Sequence, residues 1–138
     1  MISKPEKCEV AVLDLDAYRR ATSIPEKPTV CLLALEKSFH LSEIQAIVYK
    51  AVAQGAMAFL AWGPHAEELC ETIERIVEAD ADIGHLLVFS EGDEPAAEVA
   101  NFFVNSVYLD GDDYRCLVLY DGCVEQVEQL AQLLGSKV

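Results

Sequence analysis

Basic residues are scarce in this chain of 138 residues: ten Lys and Arg stand against 24 Asp and Glu, a formal net charge of -14. Such a field repels nucleic acid, anionic lipid and phosphate-rich ligands, and it attracts basic surfaces. Glycine-rich phosphate cradles are absent, in both the G-x-G-x-x-G and the Walker form, so nucleotide chemistry loses its usual anchor. No two cysteines have the C-x-x-C spacing of a thioredoxin-like oxidoreductase. No apolar run reaches the length of a membrane span, and the opening MISKPEKCEVAV lacks the apolar core and cleavage site of a signal peptide. The five cysteines are odd in number, and four of them lie in or beside apolar runs, the pattern of free thiols in a reducing compartment. A cytoplasmic location with no membrane or nucleic-acid partner is therefore expected, and no cofactor is implied.

What is present is organised around Ala56 to Val77, AMAFLAWGPHAEELCETIERIV. Met57 to Trp62 carries no charge and is bounded by Gly55 and Gly63, as a strand covered on both faces would be. Pro64 is expected at the first helical position, where its missing N–H is no loss. Ala66, Leu69, Cys70, Ile73, Ile76 and Val77 then recur at spacings of three and four, one apolar stripe on an otherwise acidic helix. Strand followed directly by helix is the repeating unit of a parallel α/β sheet.

The unit recurs three more times. Thr29 to Leu35 reads as a strand, then Ser42 as N-cap with Gln45 completing a capping box, and Ile44, Ile47, Val48, Ala51 and Val52 as a helical stripe ending at Gly55. Leu86 to Phe89 reads as the next strand, with Asp93 as N-cap of a helix that turns Ala96, Val99, Ala100, Phe103 and Val107 inward. Cys116 to Tyr120 is the last strand, and Val124, Val127, Leu130, Ala131 and Leu134 the last stripe, closed by Gly135. Residues 1–28, punctuated by Pro5, Pro25 and Pro28, read as a packed arm or an extra edge strand. The expected fold is a single α/β domain over 1–138, a three-layer sandwich on a mostly parallel sheet of four to five strands with flavodoxin-like or Rossmann-like βα repeats. The first choice of order for the four strands is 2-1-3-4.

AWGP after an apolar strand, SEGDEP before a helix, and the paired Phe102 and Phe103 in that helix together resemble a family of small bacterial proteins described only as domains of unknown function. The likeness covers roughly residues 28–120. Members often have a tryptophan in the third helix, where this chain has Asn101-Phe102-Phe103. The resemblance implies a fold and brings no active site.

In such a sheet ligands bind beyond the carboxyl ends of the strands. Those ends gather Glu36, Trp62, His65, Glu91, Asp93 and Asp121, a composition suited to a divalent metal, a small cation or acid–base chemistry, with the metal left undecided. Acids at helix starts also serve as caps and complement the dipole, which accounts for Asp93, Glu94, Glu67 and Glu68 without any ligand. A response-regulator pocket needs a lysine where Tyr120-Asp121 stands. Cys123 sits at a helix start, yet Asp121 opposes the lowering of its thiol pKa, and a structural thiol is the expected reading. His40 and His85 fall in turns, and Asp110 to Asp113 reads as a solvated turn lacking the EF-hand glycine.

Charge supplies the leading functional reading. Residues 1–55 carry seven acids and seven bases, whereas residues 56–138 carry the other seventeen acids against Arg75, Arg115 and Lys137. Glu67, Glu71, Glu74 and Glu78 follow one another at helical spacing and must share a face. The expectation is a non-catalytic module whose acidic face docks a basic protein, in the manner of an immunity or antitoxin-type inhibitor or an accessory subunit. The alternative is a small enzyme or ligand sensor built on the carboxylate and histidine crevice.

Overall fold

The computed structural model describes residues 9–21, 25–105, 115–122 and 124–134. The side chain of Phe103, together with Val107, the Asp110 to Asp113 turn, Cys123 and Gly135, falls outside the described residues. Five strands and five helices alternate: β1 Glu9–Asp14, α1 Leu15–Arg20, β2 Thr29–Leu35, α2 Leu41–Ala53, β3 Ala56–Trp62, α3 Ala66–Ala79, β4 Leu87–Ser90, α4 Ala96–Asn105, β5 Arg115–Asp121 and α5 Val124–Leu133. All strand pairs are parallel, and the order across the sheet is β1-β5-β2-β3-β4. The α/β expectation holds, and residues 9–14 form the extra edge strand.

The expected order of the four later strands does not hold. It would have left β5 at an edge, but β5 lies between β1 and β2, paired from Arg115 to Tyr120 on both sides. Burial gives the reason. Arg115 to Leu119 are buried throughout, whereas β4 is four residues long with Leu87 55% exposed. The long apolar strand occupies the interior, and the short one takes the edge.

Alternate residues of each strand serve two separate cores. Cys31, Leu33 and Leu35 of β2, Phe59 and Ala61 of β3, and Leu117 and Leu119 of β5 face α1, α2 and α3. Val30, Leu32 and Ala34, with Leu60, Trp62, Cys116 and Val118, face α4 and α5. Right-handed crossovers account for the division: connections running from β1 through β4 put their helices on one face, and the return from β4 to β5 puts α4 on the other. On that second face Phe89 and Phe102 meet edge to face, with ring centroids 5.4 Å apart.

Helix starts differ from the sequence expectation. His40 is the N-cap of α2, with the Glu43 carboxylate accepting from the His40 N–H at 3.4 Å, so Ser42 lies inside the helix. His65 rather than a residue before Pro64 is the N-cap of α3, leaving Pro64 in the preceding turn. The carbonyl of Pro95 accepts from the Val99 N–H at 3.2 Å, and α4 starts at Ala96, so Asp93 is not its cap. Ser42 stands two residues after the N-cap of α2, and Asp93 three residues before the first residue of α4.

At the amino ends of the strands a dense polar network closes the sheet. Arg115 is 3% exposed; its Nε donates to Thr29 Oγ1 at 3.2 Å and its Nη2 to the Gln54 carbonyl at 3.2 Å. Tyr18 Oη donates to Gln54 Oε1 at 2.5 Å, and Lys50 Nζ lies over the Tyr18 ring while donating to the carbonyls of Tyr18, Arg19 and Ala21. Gly55, at φ +100, backs onto Lys27 so closely that a Cβ would stand 2.7 Å from the Lys27 carbonyl carbon. Only glycine fits there. Among the described residues no buried side-chain nitrogen or oxygen lacks a partner.

Candidate functional site

The carboxyl ends are built differently. β3 ends in Trp62, whose Nε1 donates to the Glu94 carbonyl at 2.7 Å, and Gly63 N–H donates to the Gly92 carbonyl at 2.8 Å. The Glu91 N–H reaches back to the Ala61 carbonyl at 2.9 Å. These bonds fold the loop after β4 over the end of β3 and carry Asp93 with it. On the other side, the Glu36 N–H donates to the Asp121 carbonyl at 2.9 Å, and Gly122, at φ +80, lies against the Glu36 side chain. A Cβ on Gly122 would stand 2.6 Å from Glu36 Cβ, so glycine at 122 is what lets Glu36 lie across the strand end.

The result is a crevice of about 140 Å³ lined by Ala34, Glu36, Trp62, Gly63, Pro64, Asp93 and Gln126. It lies beyond the carboxyl ends of β2 and β3, between the loop after β4 and the first turn of α5, at the end of the sheet where open α/β folds bind ligands. The two carboxylates would neutralise a small cationic group and, with the carboxamide oxygen of Gln126, accept its hydrogen bonds.

Of the six crevice residues read from the sequence, the structure brings together Glu36, Trp62 and Asp93. Trp62 is only 2% exposed, and its N–H is already committed to Glu94, so it forms a wall rather than a platform. His65, half-buried at the N-cap of α3, is not among the lining residues. Asp121 instead pairs with Lys37, Nζ to Oδ1 3.7 Å. Glu91 also lies off the crevice; partial burial, then the charges of Glu94 and Glu98, push its carboxyl above the ordinary range. Among the described residues no three His, Cys, Asp or Glu side chains stand close enough to share a metal ion. Sequence reading missed Gln126. It follows β5 by one helical turn, and nothing about an isolated glutamine marks it before the strand order is known.

The acidic face of α3 is where the spacing places it. Glu67, Glu71, Glu74 and Glu78 are all exposed, opposite the buried stripe of Ala66, Leu69, Cys70, Ile73, Ile76 and Val77. Its last turn has no base, and its C-cap is Asp80. Arg75 lines a groove with Phe39, Leu41 and Gln45 toward α2, and among the described residues it forms no ion pair with Glu71. Asp80 accepts from Tyr49 Oη at 2.6 Å and from the Asp82 N–H at 2.9 Å, and these bonds hold its carboxyl below the usual range. Burial, then the hydrogen bond to Glu74 at 3.1 Å, raises the Cys70 thiol to about 12, and burial raises Cys31 to about 12, so neither is a nucleophile at neutral pH.

A family model described as a domain of unknown function (DUF7684) matches residues 10–134, from β1 to the end of α5. The chain belongs to that family. The match runs beyond the 28–120 of the sequence resemblance and takes in the edge strand. No curated protein and no solved structure matches the chain. Membership therefore assigns no chemistry, and function has to be argued from the residues.

Proposed function

We propose that the protein is a non-catalytic cytoplasmic module that docks a basic protein through the exposed glutamates of α3, acting as an inhibitor of the immunity or antitoxin type or as an accessory subunit. The observation that carries this reading is the placement of Glu74, Glu78 and Asp80 at the carboxyl end of α3 with no base in its last turn. Negative charge there opposes the helix dipole, and like charges at i,i+4 cost a few tenths of a kcal/mol per pair. Apart from the bonds of Asp80 to Tyr49 and Asp82 and of Glu74 to Cys70, folding gains nothing from the arrangement. A basic partner does, because a dense field of one sign speeds encounter and excludes partners of the same sign. The buried Cys31 and Cys70, in no disulfide among the described residues, support the cytoplasmic placement.

The test is capture of a protein partner from a host extract at low and at moderate salt, repeated with Glu71→Lys/Glu74→Lys. A salt-sensitive partner lost by the variant supports the proposal. Equal capture by both proteins would sink it.

A second reading is favoured by the convergence of Glu36 and Asp93 on one crevice: binding of a small ammonium or guanidinium group. Ligand at about 100 times its Kd adds about 2.7 kcal/mol to stability. Methylammonium and guanidinium at graded concentration should raise the melting midpoint of the wild type and not of Glu36→Gln. No shift in either protein removes this reading.

A further inference from the structure

The two helical layers are unequal. Among the described residues three helices cover one face of the five-stranded sheet, and α4 and α5 cover the other. The shortfall lies over β1. Its residues Val10 and Val12 point to the α4/α5 side and are only partly buried, as is Tyr120 beside them in β5. Between β1 and α5 runs a groove of about 440 Å³, lined by Val12, Tyr120, Val124, Val127 and Ala131, with Glu128 and Gln132 on its rim. Val124 is 51% exposed at the first position of α5, where an apolar side chain has no role within the described fold.

We propose that this groove docks an amphipathic helix of a partner protein, with an apolar stripe toward Val12, Tyr120 and Val124 and with lysine or arginine along its flanks. Shape points to a helix. The space lies on the face of β1 and beside α5, the position a third helix of that layer would fill, whereas a strand added at the β1 edge would leave Val12 and Val124 bare. Charge fixes the flanks. Glu128 of α5 lies on the rim of the apolar floor, Glu125 is exposed one turn earlier on the same helix, and α5 contains no base. The same acids argue against a second copy of this chain, since a two-fold contact would set each acidic rim against its own image. α3 lies in the opposite layer, so this surface is separate from the acidic face proposed above.

The test uses a fluorescent Leu/Lys amphipathic peptide of about eighteen residues and its Leu/Glu counterpart, with binding read by anisotropy. The expected result is binding of the Leu/Lys peptide alone, weakened about tenfold by Val124→Gln, which removes apolar surface and leaves the charge unchanged. Glu128→Gln should weaken it less, and Glu71→Lys/Glu74→Lys should leave it within about twofold. Circular dichroism melts confirm that the variants fold. Val124→Gln binding as tightly as wild type, or loss with the α3 variant instead, would show general attraction of a cation to a polyanion and overturn the proposal. So would binding of the Leu/Glu peptide, or a dimer in sedimentation that the peptide disrupts. Because the α3 variant is read separately, failure here leaves the docking role of α3 standing, and the reverse also holds.

Discussion

The two ends of the sheet hold charge in opposite ways. At the amino end Arg115, Lys50 and Tyr18 are drawn into one network in which each polar group is bonded to a carbonyl, a hydroxyl or an amide. At the carboxyl end and along the helix that leaves it, Glu36, Asp93 and the four glutamates of α3 are exposed. Buried charge is tolerated only when it is bonded, and that requirement explains the amino end as structure. No such requirement explains the carboxyl end. The difference teaches where to look for function: among the charges that the fold does not need.

Removing charge from the committed end should have the largest effect. Arg115→Ala is expected to lower stability by about 3 kcal/mol, through lost hydrogen bonds and an unfilled site, read as a lower urea midpoint. An unchanged midpoint would mean that the network is no more structural than the surface acids. Gly122→Ala comes next, at about 1–2 kcal/mol, because φ +80 is strained for alanine and the new Cβ meets Glu36. Combining it with Glu36→Ala should recover part of that loss, and simple additivity of the two changes would contradict the packing of Glu36 on Gly122.

The smallest effect is expected at Glu91. Its carboxyl pKa is raised by burial and by Glu94 and Glu98, so its ionised form is disfavoured in the fold. A raised acid contributes stability that is complete below the unfolded pKa and is lost as pH rises through the folded pKa. Glu91→Gln should therefore gain a few tenths of a kcal/mol at pH 7 and nothing at about pH 3, where the wild-type carboxyl is already neutral. A gain that persists in acid would locate its origin elsewhere than in charge.

Much of the fold was legible in the sequence, and the reason is local. The uncharged runs at 29–35, 56–62 and 116–120 and the stripes of three and four that follow them depend on neighbours a few residues away. Strand order depends on pairing across the whole chain, and the clue that β4 is short and partly exposed acquires its meaning only once β5 is seen inside the sheet. The site was half legible for the same reason. Glu36 and Asp93 could be placed at strand ends, but the bonds from Gly63 to Gly92 and from Trp62 to Glu94 that swing Asp93 toward Glu36 link separate loops. The α3 glutamates needed only helical spacing, and they lie where that spacing puts them.

The central claim is that the carboxylates of α3 are kept for a partner. Stopped-flow association of the captured basic protein with wild type and with Glu71→Lys/Glu74→Lys tests it, alongside thermal melts of the same samples. The account predicts an intact fold, equal in stability or higher by a few tenths of a kcal/mol, and an on-rate at low salt reduced by about tenfold or more, with the gap closing as salt is added. A stable variant that associates as fast as wild type at low salt would show that this face is only solvated.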